Sequence, residues 1–447
     1  MQGVSTRSVH RVVTLVTFGA FVVVLCLIWI LGVTNVRHLA ANLLSTYFLI
    51  WGVMFIVSKT PKGEICARFA LSSAALLFVL VCLEGVAVLG LVDYRTVFGT
   101  RDPWLYPGNI FDEELQFKHE SNLRVAVPRR KGNIANFWCL PASSHEYQLE
   151  VSYDSNGFRN DPDPVRADIV VIGDSYIEGN EVSMGQLATS LLAKSTQSTV
   201  VNLGHAAYGP RQQLVVLKRY ALPLKPDVVV WAFYEGNDLR DTFTYDEISA
   251  RLARGPKLGS SLWQGWHRSF SANSLDALFR AFGRCEQNPR SYHRYAVFPN
   301  AAVPGAKMYF LDGFTPMSSF EGEEEAWQRT IAVLSEAFSV ANNAGIQFVI
   351  VFIPNKVRVY RNVLEFPEES EIHAWKDTGM PRRLAAALAQ ISPEIGYVDL
   401  TPHLVAEAQK GKLLYFLDDT HWMPEGHRVA AQAIHEFLSI TGVTLSK

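Results

Sequence analysis

Asp168–Gly179 has the sequence DIVVIGDSYIEG and joins a short apolar run to a segment compatible with a helix. The run Ile169–Ile172 predicts a buried strand, and Gly173-Asp174-Ser175 interrupts it. Open α/β sheets bind their ligands beyond the carboxyl ends of their strands, where helix N-termini present backbone N–H groups to negative charge. By itself the stretch favours an ordinary strand-to-helix turn. It becomes a site for a serine nucleophile if the rest of the chain supplies a base, an orienting acid and an oxyanion hole.

Apolar strand candidates and helix-like segments alternate from Asp168 onward, which predicts a mostly parallel sheet of about five strands with helices on both faces. This number of strands suits a flavodoxin-like order. Residues 241–322 interrupt the alternation and are interpreted as an insertion near the mouth of the site. The predicted strands are Ile169–Ile172, Thr199–Leu203, Val228–Phe233, Gln347–Ile353 and Tyr397–Leu400, and the predicted helices include Gln186–Ser195, Gln212–Ala221, Glu323–Asn343, Pro381–Gln390 and Pro424–Leu438.

The first ninety residues of the 447-residue chain are mostly apolar. Three stretches, at about 12–33, 39–57 and 69–92, approach or exceed the roughly 20 apolar residues that cross a bilayer, so we predict three transmembrane helices within residues 1–93. Residues 94–166 are then a juxtamembrane lead-in, and residues 167–447 form the catalytic domain.

The charged residues predict the orientation of the chain in the membrane and bear on nucleic-acid binding. Basic residues precede the first apolar stretch and recur between the second and third, which predicts a cytoplasmic N-terminus and a periplasmic or extracellular catalytic domain. Glu84, within the third stretch, is expected to reach interfacial water. The formal net charge of −2 gives no general attraction to nucleic acid.

Cysteines and metal ligands give weaker signals. Cys139 and Cys285 fall in the external part, where a disulfide is permitted, although two separate thiols fit the sequence equally well. No CxxC or paired Cys/His metal spacing appears, and we predict no cofactor and no metal. A divalent-ion site formed by Asp418, Asp419, His421 and Glu425 is the alternative.

The late segment Asp418–Trp422 can supply the base that a serine needs at neutral pH. The imidazole of His421 titrates near working pH, and a carboxylate must hold its tautomer. Asp418, three residues earlier, is preferred because a helical turn or a tight loop brings the two together. Asp419, two residues earlier, can serve in a more extended backbone.

A developing oxyanion needs hydrogen-bond donors. The candidates are the amide of Ser175, a backbone amide within Gly204–Gly209, and the side chain of Asn237. Both of the latter follow predicted strands, as does Ser175, so all three are expected at one edge of the sheet.

These blocks, in this order, resemble those of the SGNH/GDSL hydrolase superfamily over about residues 156–438. The resemblance implies a three-layer α/β/α fold and ester hydrolysis or acyl transfer, with Ser175 as nucleophile, Asp418 as orienting acid and His421 as base. Asn237 matches the side-chain oxyanion donor. Ala207 stands where the family usually has glycine, so the second donor is either Ala207 or a shifted position such as Gly204.

The sequence therefore predicts a membrane-anchored extracytoplasmic serine esterase that acts on small acyl esters, such as acetyl, on cell-surface glycans. Its expected partners are this acyl-ester substrate and, through the three helices, the lipid bilayer. The alternatives are an O-acyltransferase acting on a polysaccharide and a catalytically inactive binding protein of the same fold. The sequence leaves the oligomeric state open.

Overall fold

The computed structural model describes most of the chain after residue 74. The described residues are 75, 78–89, 91–92, 94–98, 109–129, 132–137, 140, 147–254, 269–281, 294–298, 305–311, 322–375 and 378–441.

A five-stranded parallel sheet forms the centre of the fold. Its strands are β5 (Ile169–Gly173), β6 (Val200–Gly204), β7 (Val228–Tyr234), β10 (Gln347–Ile353) and β11 (Gly396–Asp399). Their spatial order is β11-β10-β7-β5-β6, and every pair is parallel. Numbered within the sheet, this is the order 2-1-3-4-5 of flavodoxin-like folds. The predicted strands match the observed ones to within one residue at each end.

The sheet is buried on both faces because its strands are almost continuously apolar. All residues of β5 and β7 are buried. One apolar cluster covers one face and includes Val171, Val230 and Val351. Another covers the opposite face and includes Val170, Val229 and Ile350. This alternation along each strand gives the three-layer α/β/α arrangement that the sequence predicts.

Helices separate the strands of the sheet and cover it. Gly322 and Gly379 precede two of them with left-handed φ angles of 88° and 64°, which a side chain rarely adopts. Two α-helices of the described residues belong to the other compact unit defined below, α1 (Tyr94–Phe98) and α7 (Phe270–Ala281). The remaining described α-helices are α2 (Asn133–Phe137), α3 (Ser175–Glu178), α4 (Ala188–Thr196), α5 (Pro210–Val216), α6 (Asp238–Arg254), α8 (Glu323–Asn343), α9 (Lys356–Tyr360), α10 (Met380–Ile391), α11 (Thr401–Gln409) and α12 (Pro424–Ile440).

Within the described residues, three antiparallel pairs of strands lie outside the central sheet. In the lead-in, β1 (Asn109–Asp112) pairs with β2 (Gln116–His119), and β3 (Arg124–Arg129) pairs with β4 (Tyr147–Ser152). Within the predicted insertion, β8 (Tyr295–Val297) pairs with β9 (Lys307–Tyr309).

The chain divides into two compact units, Met1–Arg101 with Ala250–Phe282, and Asp102–Ser249 with Gly283–Lys447. In the first unit, the rings of Tyr94, Phe98 and Phe270 pack together. The carboxylate of Glu84 accepts a hydrogen bond of 2.7 Å from the Ser271 backbone N–H. Glu84 therefore has a protein partner rather than only the interfacial water that we expected.

Several predictions concern residues outside the described ranges. The predicted spans at 12–33 and 39–57, part of the span at 69–92, and both Cys139 and Cys285 lie there. Among the residues that the structure describes, none of the helices combines the length and the apolar character that crossing a bilayer requires. The three helices and the domain boundaries stay predictions.

Candidate active site

The turn between β5 and α3 presents Ser175 at the carboxyl end of the sheet. Asp174 caps α3, because its Oδ1 accepts from the Tyr176 backbone N–H at 3.0 Å. Gly173 allows the close turn: a Cβ there would lie 2.5 Å from Cγ1 of Ile177. Ser175 therefore occupies the position that the sequence predicts, at the first residue of a helix that follows a central strand.

His421 reaches Ser175 from a loop that begins after α11 and leads into α12. Its Nε2 lies 2.8 Å from Ser175 Oγ, a hydrogen-bonding distance. Its Nδ1 lies 2.6 Å from Asp419 Oδ1. Three side chains from two distant parts of the chain thus form a continuous Ser–His–Asp arrangement.

Asp418, the preferred partner of His421 in the sequence analysis, does not contact its imidazole. Its Oδ2 accepts from the Gly132 backbone N–H at 3.1 Å instead. The backbone between Asp418 and His421 is a non-helical turn in which Asp419 Oδ1 also accepts from the His421 backbone N–H at 3.0 Å. A separation of three residues brings side chains together only in a helical turn, so the structure pairs His421 with the alternate, Asp419.

Two carboxylates surround the imidazole of His421. Besides Asp419, the buried Glu181 places Oε1 3.6 Å from Nδ1. Burial by itself lowers the pKa of His421, but the negative charges of Glu181 and Asp419 outweigh it and raise the pKa to about 9. Burial would raise the pKa of Asp419, yet the charge of His421 and its hydrogen bonds lower it to about 2. The charge of each partner therefore favours the charged form of the other.

The loop after β6 carries the predicted backbone donor. Four neighbouring amides have acceptors: Gly204 N–H donates to Asn202 Oδ1, His205 N–H to the Gly173 carbonyl, Ala206 N–H to Glu178 Oε2 and Tyr208 N–H to the His205 carbonyl. Among the described residues, neither Ser175 N–H nor Ala207 N–H has an acceptor. These two amides therefore remain available to a developing oxyanion.

Ala207 has a left-handed backbone with φ of 64°. This conformation costs an L-residue about 1–2 kcal/mol and glycine almost nothing. The geometry thus explains why glycine suits this position, and the chain keeps the conformation with alanine. Gly204, the alternate donor, has a different requirement. A Cβ there would lie 2.5 Å from the Glu178 backbone N, so glycine lets β6 and α3 approach closely.

Asn237 lies between β7 and α6, at the same edge of the sheet. Its backbone carbonyl accepts from Asp241 N–H at 2.8 Å. Its side-chain Oδ1 is buried, and no described residue donates to it. Burial raises the pKa of the neighbouring Asp174 to about 6 and that of Asp241 to about 8.

The sequence analysis did not identify Glu178, a buried residue that contacts the loop after β6. Glu178 Oε1 receives hydrogen bonds from His119 Nε2 at 2.8 Å and from Tyr153 O–H at 2.7 Å, and Glu178 Oε2 accepts from Ala206 N–H. Burial would raise the pKa of Glu178, but the neighbouring His119 outweighs it and lowers the pKa. The carboxylate thus ties the nucleophile helix to the residue before Ala207. The sequence signal for this role was the position of Glu178 three residues after Ser175.

Lys356 is a second group that the sequence analysis missed. Its buried Nζ donates to three carbonyls of the His421 loop, those of Phe416 at 2.5 Å, Leu417 at 3.1 Å and Asp419 at 3.0 Å. Burial lowers the pKa of Lys356 to about 7. No sequence pattern identifies this lysine, because its partners are backbone atoms about 60 residues away.

Two groups of side chains have the composition of metal ligands. In the first, the imidazoles of His119 and His205 stack with centroids 4.1 Å apart and planes inclined by 20°. Stacked rings direct their nitrogen lone pairs in parallel rather than toward one ion. In the second, Glu181 and Asp419 flank His421, but the His421–Asp419 hydrogen bond already occupies Nδ1. Glu425, part of the alternative metal set, bonds Lys412 and Arg428.

Sequence comparisons find one matching family and two curated proteins whose names refer to alginate. Residues 310–445 match the family described as "SGNH hydrolase-like domain, acetyltransferase AlgX", a range that includes Asp419 and His421 but not Ser175. The chain is 28% identical over 121 residues to "Probable alginate O-acetylase AlgJ" of Pseudomonas putida, which covers 26% of this chain and 29% of that protein. It is 25% identical over 115 residues to "Alginate biosynthesis protein AlgX" of the same organism, and this match covers 25% of this chain and 24% of that protein. The chain thus matches less than a third of the length of either relative.

Solved structures similar to this chain include an acetylxylan esterase from Geobacillus stearothermophilus (13% identity, TM-score 0.32, 63% of this chain and 96% of that one). A GDSL-like lipase from Bacteroides thetaiotaomicron has 13% identity and a TM-score of 0.30 over 63% of this chain and 92% of that one. Because these TM-scores are low, the comparison rests on the sequence matches. Over residues 310–445, the chain is similar to SGNH hydrolase-like domains.

Proposed function

We propose that this protein processes small acyl esters, acetyl esters above all, on a polysaccharide, by a serine-dependent mechanism with a covalent acyl-enzyme. The observation that carries the proposal is the chain of two hydrogen bonds from Ser175 Oγ to His421 and from His421 to Asp419, of 2.8 Å and 2.6 Å. Serine at neutral pH is a weak nucleophile, and an adjacent imidazole held by a carboxylate activates it.

In the proposed reaction, Ser175 Oγ attacks the ester carbonyl while His421 Nε2 takes the hydroxyl proton. The carbonyl oxygen becomes an oxyanion, which accepts hydrogen bonds from Ser175 N–H, Ala207 N–H and the Asn237 side chain. The tetrahedral intermediate collapses, the ester C–O bond breaks, and His421 returns the proton to the leaving alcohol. Asp419 stabilises the imidazolium throughout and keeps its own charge.

A second hydroxyl then resolves the acyl-serine. Attack by water releases the carboxylic acid, and attack by a sugar hydroxyl gives a new ester, with His421 as the base in both cases. The names of the two curated relatives favour transfer to a polysaccharide as the second candidate function. Hydrolysis and transfer share every proposed residue, and they differ only in which hydroxyl reaches the acyl carbon.

The exposed side chains of residues 78–91 support the proposed membrane anchor. Phe78 is 70% exposed, Leu89 74% and Leu91 72%, within a stretch that continues a longer apolar sequence. Large exposed apolar patches mark interaction or membrane surfaces. A reporter fused to the C-terminus tests the proposed topology: activity on the cytoplasmic side of a bacterial membrane would contradict it.

The mechanism is tested with the full chain in detergent and p-nitrophenyl acetate as the probe. We expect Ser175→Ala and His421→Ala each to lower kcat by several orders of magnitude, as in other serine triads, while Glu394→Gln, an exposed control, retains the rate. Unchanged rates in both active-site variants would refute the proposal. Adding a deacetylated uronate oligosaccharide separates the two candidates, because transfer yields O-acetyl sugar and hydrolysis yields only acetate.

A further inference from the structure

The lead-in segment Gly132–Ala135 contacts the loop that carries the proposed acid and base. Three backbone N–H groups of this segment donate to Asp418: Gly132 N–H to its Oδ2, and Ile134 N–H and Ala135 N–H to its carbonyl, each at 3.1 Å. Asn133, Ile134 and Ala135 begin the short helix α2, and the first N–H groups of a helix have no acceptor within it. Here the N–H groups of Gly132, Ile134 and Ala135 donate to a loop residue located 286 positions after Gly132 in the chain.

Asn133 makes the most specific of these contacts. Its backbone N–H donates to Asp419 Oδ2 at 2.7 Å. Its side chain forms a reciprocal pair with Thr420: Nδ2 donates to Thr420 Oγ1 at 2.6 Å, and Oδ1 accepts from Thr420 N–H at 2.9 Å. Because the other oxygen of Asp419 bonds His421, the carboxylate is held from both sides.

Gly132 is required for this approach. A Cβ on Gly132 would lie 2.3 Å from the Asp418 carbonyl oxygen and 2.6 Å from Asp419 Cβ. Ile134 and Ala135, both fully buried, anchor the segment by packing with Leu140 and Leu311. The strand β9 ends beside them, where Tyr309 N–H donates to the Leu417 carbonyl at 2.7 Å. Burial of this apolar cluster stabilises the contact independently of the polar bonds.

We propose that Asn133 and Gly132 form a clamp that positions Asp419 for its bond to His421, so that the lead-in is a functional part of the active site. The clamp acts through Asp419, which makes Asn133 a positioning residue rather than a catalytic one. The inference rests on the proposed function, because it assigns the clamp a role in the same reaction. It also makes the part of the chain from residue 167 onward insufficient for full activity.

The test compares full-chain variants with p-nitrophenyl acetate as the substrate. Asn133→Leu removes both side-chain bonds at similar volume, and Thr420→Val removes one acceptor. We expect Asn133→Leu to lower kcat by about 10- to 100-fold, because a displacement of about 1 Å in an active site can cost 10², with KM changed by less than about threefold. Combining Asn133→Leu with Thr420→Val should cost no more than Asn133→Leu alone, since both break one pair.

A spectroscopic readout distinguishes positioning from general destabilisation. The low-field proton resonance of the hydrogen-bonded His421 Nδ1–H should weaken or shift in Asn133→Leu and Gly132→Ala. It should persist in Gly185→Ala, where a Cβ meets nothing within 4 Å, and in Asn342→Leu, an exposed control. If Gly132→Ala does not fold, the kcat and the proton resonance of Asn133→Leu alone test the proposed clamp.

Wild-type kcat together with an unchanged resonance in Asn133→Leu would overturn the clamp. That result differs from failure of the proposed function, in which Ser175→Ala and His421→Ala would themselves retain activity.

Discussion

His421 Nδ1 lies 2.6 Å from Asp419 Oδ1 and not against Asp418, the neighbouring carboxylate. The same Oδ1 also accepts from the backbone N–H of His421 at 3.0 Å. One carboxylate oxygen thus fixes both the main chain and the side chain of His421, as the short side chain of aspartate does in tight turns. Asp418 instead bonds the lead-in, so adjacent aspartates have different structural tasks.

The first prediction separates these two aspartates. Asp419→Asn should lower kcat by about 10⁴-fold, because an amide favours the wrong imidazole tautomer, as it does in the Ser–His–Asp template. Asp418→Asn retains an oxygen for the Gly132 N–H and should cost less than about tenfold, or 1.4 kcal/mol. Steady-state kinetics with p-nitrophenyl acetate measure both. Equal losses in the two variants would contradict the assignment of Asp419.

The pattern of apolar residues was sufficient to predict the central sheet. The run Gln347–Ile353 was predicted to the residue, because a buried parallel strand is continuously apolar and its ends are marked by polar residues. The sequence also indicated that Ser175 and His421 belong to one site, since strand ends and the helix after them converge at one edge of a parallel sheet.

The sequence could not show whether Asp418 or Asp419 bonds His421, because the answer depends on whether the turn before His421 is helical or extended. The contacts of Asn133 and Lys356 could not be predicted from the sequence either, and those of Glu178 were indicated only by its position three residues after Ser175. Each acts through backbone atoms or loops distant in sequence, and hydrogen bonds to backbone leave no signature in side-chain periodicity. The sequence predicted residues 94–166 as a juxtamembrane lead-in and gave no sign that Asn133 bonds Asp419.

The second prediction concerns the pH dependence that Glu181 imposes. His421 must be neutral to act as a base, and its pKa of about 9 means that activity should fall as pH decreases below that value. Glu181→Gln removes a negative charge 3.6 Å from Nδ1, so the pKa of His421 should fall by about one to two units. The acidic limb of the kcat/KM profile should move to lower pH by the same amount, and activity at pH 7 should rise.

The control for this prediction is Glu394→Gln, which removes an exposed carboxylate outside the site. The described groups that act on His421 also include Asp419, Asp174, Ser175, His427 and the ring of Tyr176, and none of them changes in either variant. A profile of Glu181→Gln that is lowered at all pH values without a shift would show that Glu181 has only a structural role.

The third prediction follows from the left-handed backbone of Ala207. Ala207→Gly should raise the free energy of unfolding by about 0.5–1 kcal/mol, because the conformational penalty of about 1–2 kcal/mol exceeds the entropy that glycine adds to the unfolded chain. The backbone donor is retained, so kcat should stay within a few-fold of wild type. Ala193→Gly, in helix α4, should lower stability by about 1 kcal/mol. Urea unfolding measures both, and losses of equal sign and size would contradict the strain at Ala207.

The fourth prediction concerns Lys356, whose ammonium group serves three carbonyls of the His421 loop. Lys356→Met leaves these carbonyls buried without their donor, and each such group costs about 1–3 kcal/mol. We expect the variant to lose several kcal/mol of unfolding free energy, and to lose kcat because Asp419 is one of the three residues. Lys194→Met, on the exposed side of α4, should change neither quantity appreciably.

The loss in Lys356→Met should also depend on pH. The folded protein lowers the pKa of Lys356 to about 7, whereas the unfolded chain keeps it near 10.4. Between these values the unfolded state binds more protons, so this lysine makes the unfolding free energy rise with pH, by at most about 1.4 kcal/mol per unit. The stability gap between wild type and Lys356→Met should therefore widen from pH 7 to pH 10 in urea titrations. A gap that stays constant over this range would mean that Lys356 keeps its proton on folding.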